Sequence, residues 1–143
     1  MKMFRTLMFA PCARPELMAK AQDSQADALI FDLEDSVPLQ AKEQARQNLA
    51  QVLAHGLKKP AFLRVNHPRA GDTRADLAAI GQRPVANLMG IILPKAELAS
   101  DIEQLDSDLQ ELESKWGWTS GGLRILPLVE TCLGLRNTYE LAR

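Results

Sequence analysis

Ala28-Leu29-Ile30-Phe31-Asp32-Leu33-Glu34-Asp35-Ser36-Val37-Pro38 holds three signals in a row. Ala28–Leu33 is an apolar, β-branched run of the length of a buried strand. Acids crowd its downstream end at Asp32, Glu34 and Asp35. Pro38 then suits the first position of a helix that carries Ala41, Ala45, Leu49, Val52 and Leu53 inward. A strand, a polar end and a helix make one βα unit.

The same unit repeats on both sides. Upstream, Thr6–Phe9 reads as a strand, and Pro15 opens a helix with Leu17, Met18 and Ala21 on one side. Downstream, Ala61–Val65 precedes a short helix, Thr73–Ile80, with Asp72 as its N-cap. Gly90–Leu93 precedes the pattern Leu98–Glu113, in which Leu98, Ile102, Leu105, Leu109 and Leu112 form one stripe. Ser100 and Glu103 have capping-box spacing and place that helix start near Ser100. Leu123–Val129 is the fifth strand, and Leu133–Arg143 reads as the beginning of a fifth helix. Strand ends recur about every 30 residues, the size of a βα unit.

Repeated βα units predict a parallel α/β sheet, and two architectures fit. One is a five-stranded doubly wound sheet, which suits the length of 143 residues. The other is the first five βα units of a TIM (β/α)8 barrel, a fold that typically needs roughly 250 residues when complete. The chain is read as a single domain, 1–143, ending inside its fifth helix.

Composition excludes several functions. Lys and Arg number 17 against 18 Asp and Glu, a net charge of -1. Nucleic-acid binding needs a cationic excess that is missing here. The best apolar run, Leu88–Leu93, is far too short to span a bilayer and ends at Pro94. Lys2 and Arg5 before Leu7-Met8-Phe9-Ala10 imitate a signal peptide, but the apolar stretch is short and Pro11 and Arg14 interrupt it. Two cysteines, Cys12 and Cys132, make no disulfide framework and suit a reducing cytoplasm.

In either architecture the active face lies at the C-terminal ends of the strands. Those ends read Phe9-Ala10-Pro11-Cys12, Asp32-Leu33-Glu34-Asp35, Arg64-Val65-Asn66, Pro94-Lys95-Ala96-Glu97 and Glu130-Thr131. Ionisable and polar groups gather there while the strand interiors stay apolar, which is a site signal. The first turn has no glycine, as a dinucleotide loop would require. No Walker loop, zinc spacing or Gly-x-Ser-x-Gly elbow is present either.

Arg5-Thr6-Leu7-Met8-Phe9-Ala10-Pro11, Asp32-Leu33-Glu34-Asp35-Ser36-Val37, Arg64-Val65-Asn66, Gly90-Ile91-Ile92-Leu93-Pro94-Lys95 and Glu130-Thr131-x-x-Gly134 follow one another in that order. The set resembles the citrate lyase β-subunit-like branch of the HpcH/HpaI aldolase superfamily, from Arg5 to about Asn137. The resemblance implies a (β/α)8 barrel, a Mg2+ cofactor and a carbon–carbon lyase that cleaves a β-hydroxy acid or its CoA thioester through a metal-stabilised enolate. Two departures stand out. Cys12 occupies a place where the family usually has glycine, and the family's second metal-binding Asp follows a sixth strand that this sequence does not reach.

The resemblance makes Glu130 a metal ligand and catalytic residue. It makes Arg64 the residue that binds substrate and stabilises the enolate, as a guanidinium suits paired oxygens. The competing reading of Arg64 is a partner for Asp32 or Glu34. Glu34 and Asp35 would support the metal's water shell, although Asp35 or Ser36 could instead cap the next helix. Asp32 is expected to point into the barrel. Asn66 and Lys95 are further substrate-binding candidates, with a turn role open for Asn66. Schiff-base chemistry at Lys95 is the minor alternative. Arg5 and Arg14 are the cations available for CoA phosphates, or else ordinary surface charge. Cys12 and Cys132 could meet across the barrel mouth, or serve as small apolar residues. His55, His67, Trp116 and Trp118 are assigned no chemistry.

The alternative to catalysis is an incomplete half-barrel that binds another chain. Five barrel strands leave two unpaired edges, so either a second copy or completion by another chain is expected. The small-molecule partner in the first reading is an organic acid or CoA thioester.

Overall fold

β-branched and aromatic residues set the strands, and the computed structural model resolves five of them within the described residues 3–143. Lys2, part of the signal-like start, lies outside the described residues. The strands are β1 (Leu7–Pro11), β2 (Ala28–Asp32), β3 (Ala61–Arg64), β4 (Leu88–Leu93) and β5 (Arg124–Pro127). All four pairings are parallel, and the spatial order is β1-β2-β3-β4-β5. A doubly wound sheet reverses its strand order at a switch point. Here the order never reverses, so that alternative falls and the sheet is that of the first five units of a (β/α)8 barrel.

Packing gives the same answer. The helices are α1 (Pro15–Gln22), α2 (Lys42–His55), α3 (Thr73–Ala78), α4 (Ala99–Trp116), α5 (Cys132–Arg136) and α6 (Thr138–Leu141). Met18, Leu49, Leu53, Leu77, Leu105 and Leu109 from the helices share one core with Leu29, Phe31, Leu63, Ile91 and Leu93 from the strands. The alternate strand residues Ala28, Ile30, Phe62 and Ile92 form a second cluster with Phe4, Leu126 and Leu128, which includes no helical residue among those described. Helices therefore cover one face only, as on the outside of a barrel. The other face points inward, and Phe9 on it is about half exposed.

Several local expectations shift. Pro38 precedes a short 3-10 turn, Leu39–Ala41, and α2 itself begins at Lys42. Asp72 precedes α3 but gives its side chain to Arg46 Nη2 at 2.7 Å instead of capping. Helix α4 starts at Ala99, and Ser100 does not cap it. Asp101 accepts the Leu98 and Glu97 N–H groups at 2.9 and 3.1 Å and satisfies those donors. The pattern Leu133–Arg143 divides at Asn137 into two short helices. Trp116 and Trp118 pack together at 5.2 Å between ring centroids, a loop-packing role.

Parallel pairing aligns the strand ends. Pro11 lies beside Asp32, Asp32 beside Arg64, and Arg64 beside Ile92. This register brings residues distant in sequence to one rim. No helix among the described residues is long and apolar enough to cross a membrane.

Candidate active site at the strand ends

Arg64 is the last residue of β3 and lies on the inner face with Phe62. Its Nε donates to Asp32 Oδ1 and its Nη2 to Asp32 Oδ2, both at 2.7 Å. This is the parallel two-bond geometry that a guanidinium and a carboxylate favour. Arg64 Nη1 lies 3.2 Å from Glu34 Oε2, yet that buried oxygen accepts no hydrogen bond. Across the inner face, the Arg64 guanidinium carbon sits 4.8 Å from the centre of the Phe9 ring, a cation–π contact. Asp32 also accepts the N–H groups of Glu34 and Ser36, at 2.9 and 3.1 Å, and so shapes the loop that carries Glu34 and Asp35. Neither Asp35 nor Ser36 caps α2, which starts further along.

Lys95 joins this group from the end of β4. Its Nζ donates to Glu34 Oε1 and, at 2.9 Å, to Asp35 Oδ1. The residue adopts φ 49°, a left-handed conformation that costs a non-glycine residue about 1 kcal/mol and is held by its surroundings. In that pose its backbone N–H donates to Glu130 Oε1 at 3.0 Å. Glu130 is exposed, just past the end of β5.

The spacing Thr131-x-x-Gly134 has a mechanical cause. Thr131 Oγ1 accepts the Gly134 N–H at 3.0 Å and caps α5. A Cβ on Gly134 would come within 2.3 Å of the Ala96 carbonyl oxygen, so only glycine lets α5 seat against the loop after β4. That seating sets Glu130 beside Lys95.

Asn66, expected at the substrate, is occupied elsewhere. Its Nδ2 donates to Asp76 Oδ2 and the Leu33 carbonyl, at 2.7 and 3.0 Å, and its Oδ1 accepts from Lys42 Nζ at 2.7 Å. Asp76, fully buried, also pairs with Arg46 Nε at 2.8 Å. The sequence reading missed Lys42, Arg46 and Asp76. One available signal was Lys42 itself, a cation at a helix N-terminus, where the dipole disfavours it.

The remaining candidates lie apart. Arg5 pairs with Asp27 at 3.0 Å, and both precede their strands, at the rim opposite the site. Arg14 pairs with its neighbour Glu16. Cys12 is buried in the core between sheet and helices while Cys132 is exposed, so they do not meet. His67 caps a turn by accepting the Arg69 N–H at 3.1 Å.

Charge follows from these contacts. Burial raises the Asp32 carboxyl pKa, but the hydrogen bonds from Arg64, Ser36 and the Glu34 N–H, with the Arg64 charge, together hold the group below the usual carboxylate range. Burial pushes Glu34 up, against the pull of Lys95. The Glu34 hydrogen bond raises Lys95 above an ordinary lysine, and the Lys95 hydrogen bond lowers Asp35. Lys95 is thus held as an ammonium, the wrong form for an imine-forming nucleophile. Among the described residues no three His, Cys, Asp or Glu side chains gather as a closed metal site. The residues fit a more open arrangement: Glu130 offers an exposed carboxylate, and the buried Glu34 Oε2 is an acceptor without a donor. Magnesium commonly takes one or two carboxylates and keeps several waters.

A family model described as HpcH/HpaI aldolase/citrate lyase matches residues 5–143. Citrate lyase subunit beta of Haemophilus influenzae is 29% identical over 144 residues, covering 99% of this chain and 48% of that protein. A (3S)-malyl-CoA thioesterase of Cereibacter sphaeroides is 31% identical over 141 residues, covering 97% and 45%. The structure of a citrate lyase beta subunit complexed with oxaloacetate and magnesium from Mycobacterium tuberculosis matches with TM-score 0.67 and 29% identity, over 95% of this chain and 52% of that one. The protein CitE of that organism, in complex with magnesium, acetoacetate and coenzyme A, matches with TM-score 0.67 over 95% of this chain and 43% of that one. The chain spans about half the length of the curated relatives it matches. Strand order, one-sided helical packing and these likenesses agree, and the chain belongs to the HpcH/HpaI aldolase/citrate lyase family.

Proposed function

We propose that the protein carrying this chain is a magnesium-dependent carbon–carbon lyase acting on a β-hydroxy acid or its CoA thioester. The observation that carries the reading is Arg64: a buried guanidinium on the inner rim, fixed through two of its five donors by Asp32. Among the described residues its other donors make no hydrogen bond, and Nη1 lies 3.2 Å from Glu34 Oε2.

In this reading the freed Arg64 donors grip a substrate carboxylate or carbonyl oxygen. Cleavage breaks the bond between the hydroxyl-bearing carbon and its neighbour, and the electron pair passes to the neighbouring carbonyl oxygen as an enolate. Positive charge already fixed at Arg64 stabilises that oxygen with little reorganisation. The hydroxyl proton passes to a general base and the enolate carbon takes up a proton, so that a keto acid and the shorter acyl compound leave. Glu130 would hold the magnesium, with Glu34 and Asp35 accepting from its waters. When bound, the ion polarises substrate oxygens. Lys95 orders the acids: its Nζ ties Glu34 to Asp35 while its N–H turns Glu130. The unpaired edges of β1 and β5 would be covered by further βα units, on the same chain or another.

The test is product analysis. The purified protein, magnesium and the CoA thioester of a β-hydroxy dicarboxylic acid should yield a shorter acyl-CoA and a keto acid. Release of free CoA with the carbon skeleton intact would assign thioester hydrolysis instead, the activity in the name of the Cereibacter relative. A folded protein that does neither contradicts the reading.

A further inference from the structure

Lys42 opens α2, where the helix dipole opposes a positive charge. Its side chain turns back from the helix toward the strand ends. The Nζ donates to the Leu33 carbonyl at 2.6 Å, the Glu34 carbonyl at 2.7 Å and Asn66 Oδ1 at 2.7 Å. Those bonds use all three donors of an ammonium, and none goes to a carboxylate. The contact is a clamp on neutral acceptors rather than an ion pair.

Its two jaws matter. Leu33 and Glu34 belong to the loop after β2, flanked by Asp32 and Asp35. Asn66 lies two residues beyond Arg64, and its N–H and Nδ2 both donate to the buried Asp76 at 2.7 Å. Asp76 is held by Arg46, one turn after Lys42 on the same helix. Lys42, Asn66, Asp76 and Arg46 thus form a closed chain of contacts behind the rim, joining the ends of β2 and β3. On the inner side of those two ends stand Asp32, Glu34 and Arg64.

We propose that Lys42 is a positioning residue, whose ammonium clamps the loop after β2 to the end of β3 and so sets the distance between Glu34 and Arg64. Its bearing on catalysis rests on the reading of Arg64 as the substrate-binding residue. The geometric part stands separately.

Lys42→Met keeps the stem and removes the donors. Asp27→Asn, which weakens the Arg5 pair at the opposite rim, serves as a control for general destabilisation. In nitrogen-resolved NMR the Arg64 Nε–H resonance is expected to shift or broaden in Lys42→Met and to stay in place in Asp27→Asn. An unmoved resonance in Lys42→Met, or equal movement in both, overturns the proposal. Should Lys42→Met not fold, the wild type decides: hydrogens on the Lys42 ammonium should exchange at least about tenfold more slowly than those of the exposed Lys20. Equal exchange overturns the clamp. In turnover, Lys42→Met should lower kcat/KM by roughly 10- to 100-fold, as small misplacements of binding groups do. Unchanged turnover also contradicts it. A wild type without any turnover would defeat the lyase reading alone, since the NMR comparison does not depend on activity.

Discussion

Arg64 and Asp32 meet through two parallel hydrogen bonds of 2.7 Å at the ends of adjacent strands, with both side chains nearly buried. The pair is the structural partnership with Asp32 that one reading of Arg64 expects, and the substrate-binding role is the one proposed above. Asp32 takes one edge of the guanidinium, and Nη1 on the other lies 3.2 Å from Glu34 Oε2; in the proposed function that edge also meets the substrate.

Removing one partner strands the other. Asp32→Ala leaves a buried guanidinium near Glu34 alone, and breaking a buried pair of this kind costs about 3–5 kcal/mol. Denaturant unfolding of wild type and variant measures the loss.

The same pair gives the acid limb of stability a sign. The Asp32 carboxyl is held low in the folded protein, so its contribution is complete above its unfolded value of about 3.9. It disappears as pH falls through that value toward the folded one. Glu34, pushed up by burial, acts oppositely: its ionisation weighs against folding as pH rises above about 4.3. Asp32→Asn should therefore flatten the dependence of thermal midpoint on pH below about 4, read by circular dichroism melts.

Lys95 should not form an imine. Two carboxylates hold its ammonium, so borohydride treatment in the presence of a keto acid should leave the mass of the Lys95 peptide unchanged. A reduced adduct on Lys95 would restore the Schiff-base alternative.

Gly134 supports the Glu130 end of the site. Gly134→Ala would bring a methyl carbon within 2.3 Å of the Ala96 oxygen, and such overpacking costs about 1–3 kcal/mol. The unfolding midpoint checks the cost. The backbone amide shift of Lys95, whose N–H meets Glu130, checks whether the loop moves with it.

Much of this was legible in the residues. Apolar runs marked the strands, Pro15 marked the start of α1, and acids and cations at the strand ends marked the rim. Sequence spacing failed where tertiary pairing took over. Asp72 has the composition of an N-cap, but Arg46, 26 residues away, reaches its carboxylate first. Asn66 beside Arg64 has the type of a substrate contact, yet β3 ends at Arg64, and past that end the chain turns Asn66 toward Asp76 and Lys42. Arg5 matches the family pattern in sequence and lies at the wrong rim, because it precedes its strand instead of following it. The choice between barrel and doubly wound sheet needed strand order, which no local pattern encodes.

The most direct test is kcat/KM for a β-hydroxyacyl-CoA in magnesium, comparing wild type with Arg64→Lys. Lysine keeps a charge for Asp32 and so preserves the fold, but it cannot hold Asp32 and a substrate oxygen with one planar fork. The account predicts a loss of at least about 100-fold, with a thermal midpoint close to wild type. A folded Arg64→Lys enzyme with wild-type kcat/KM would contradict it.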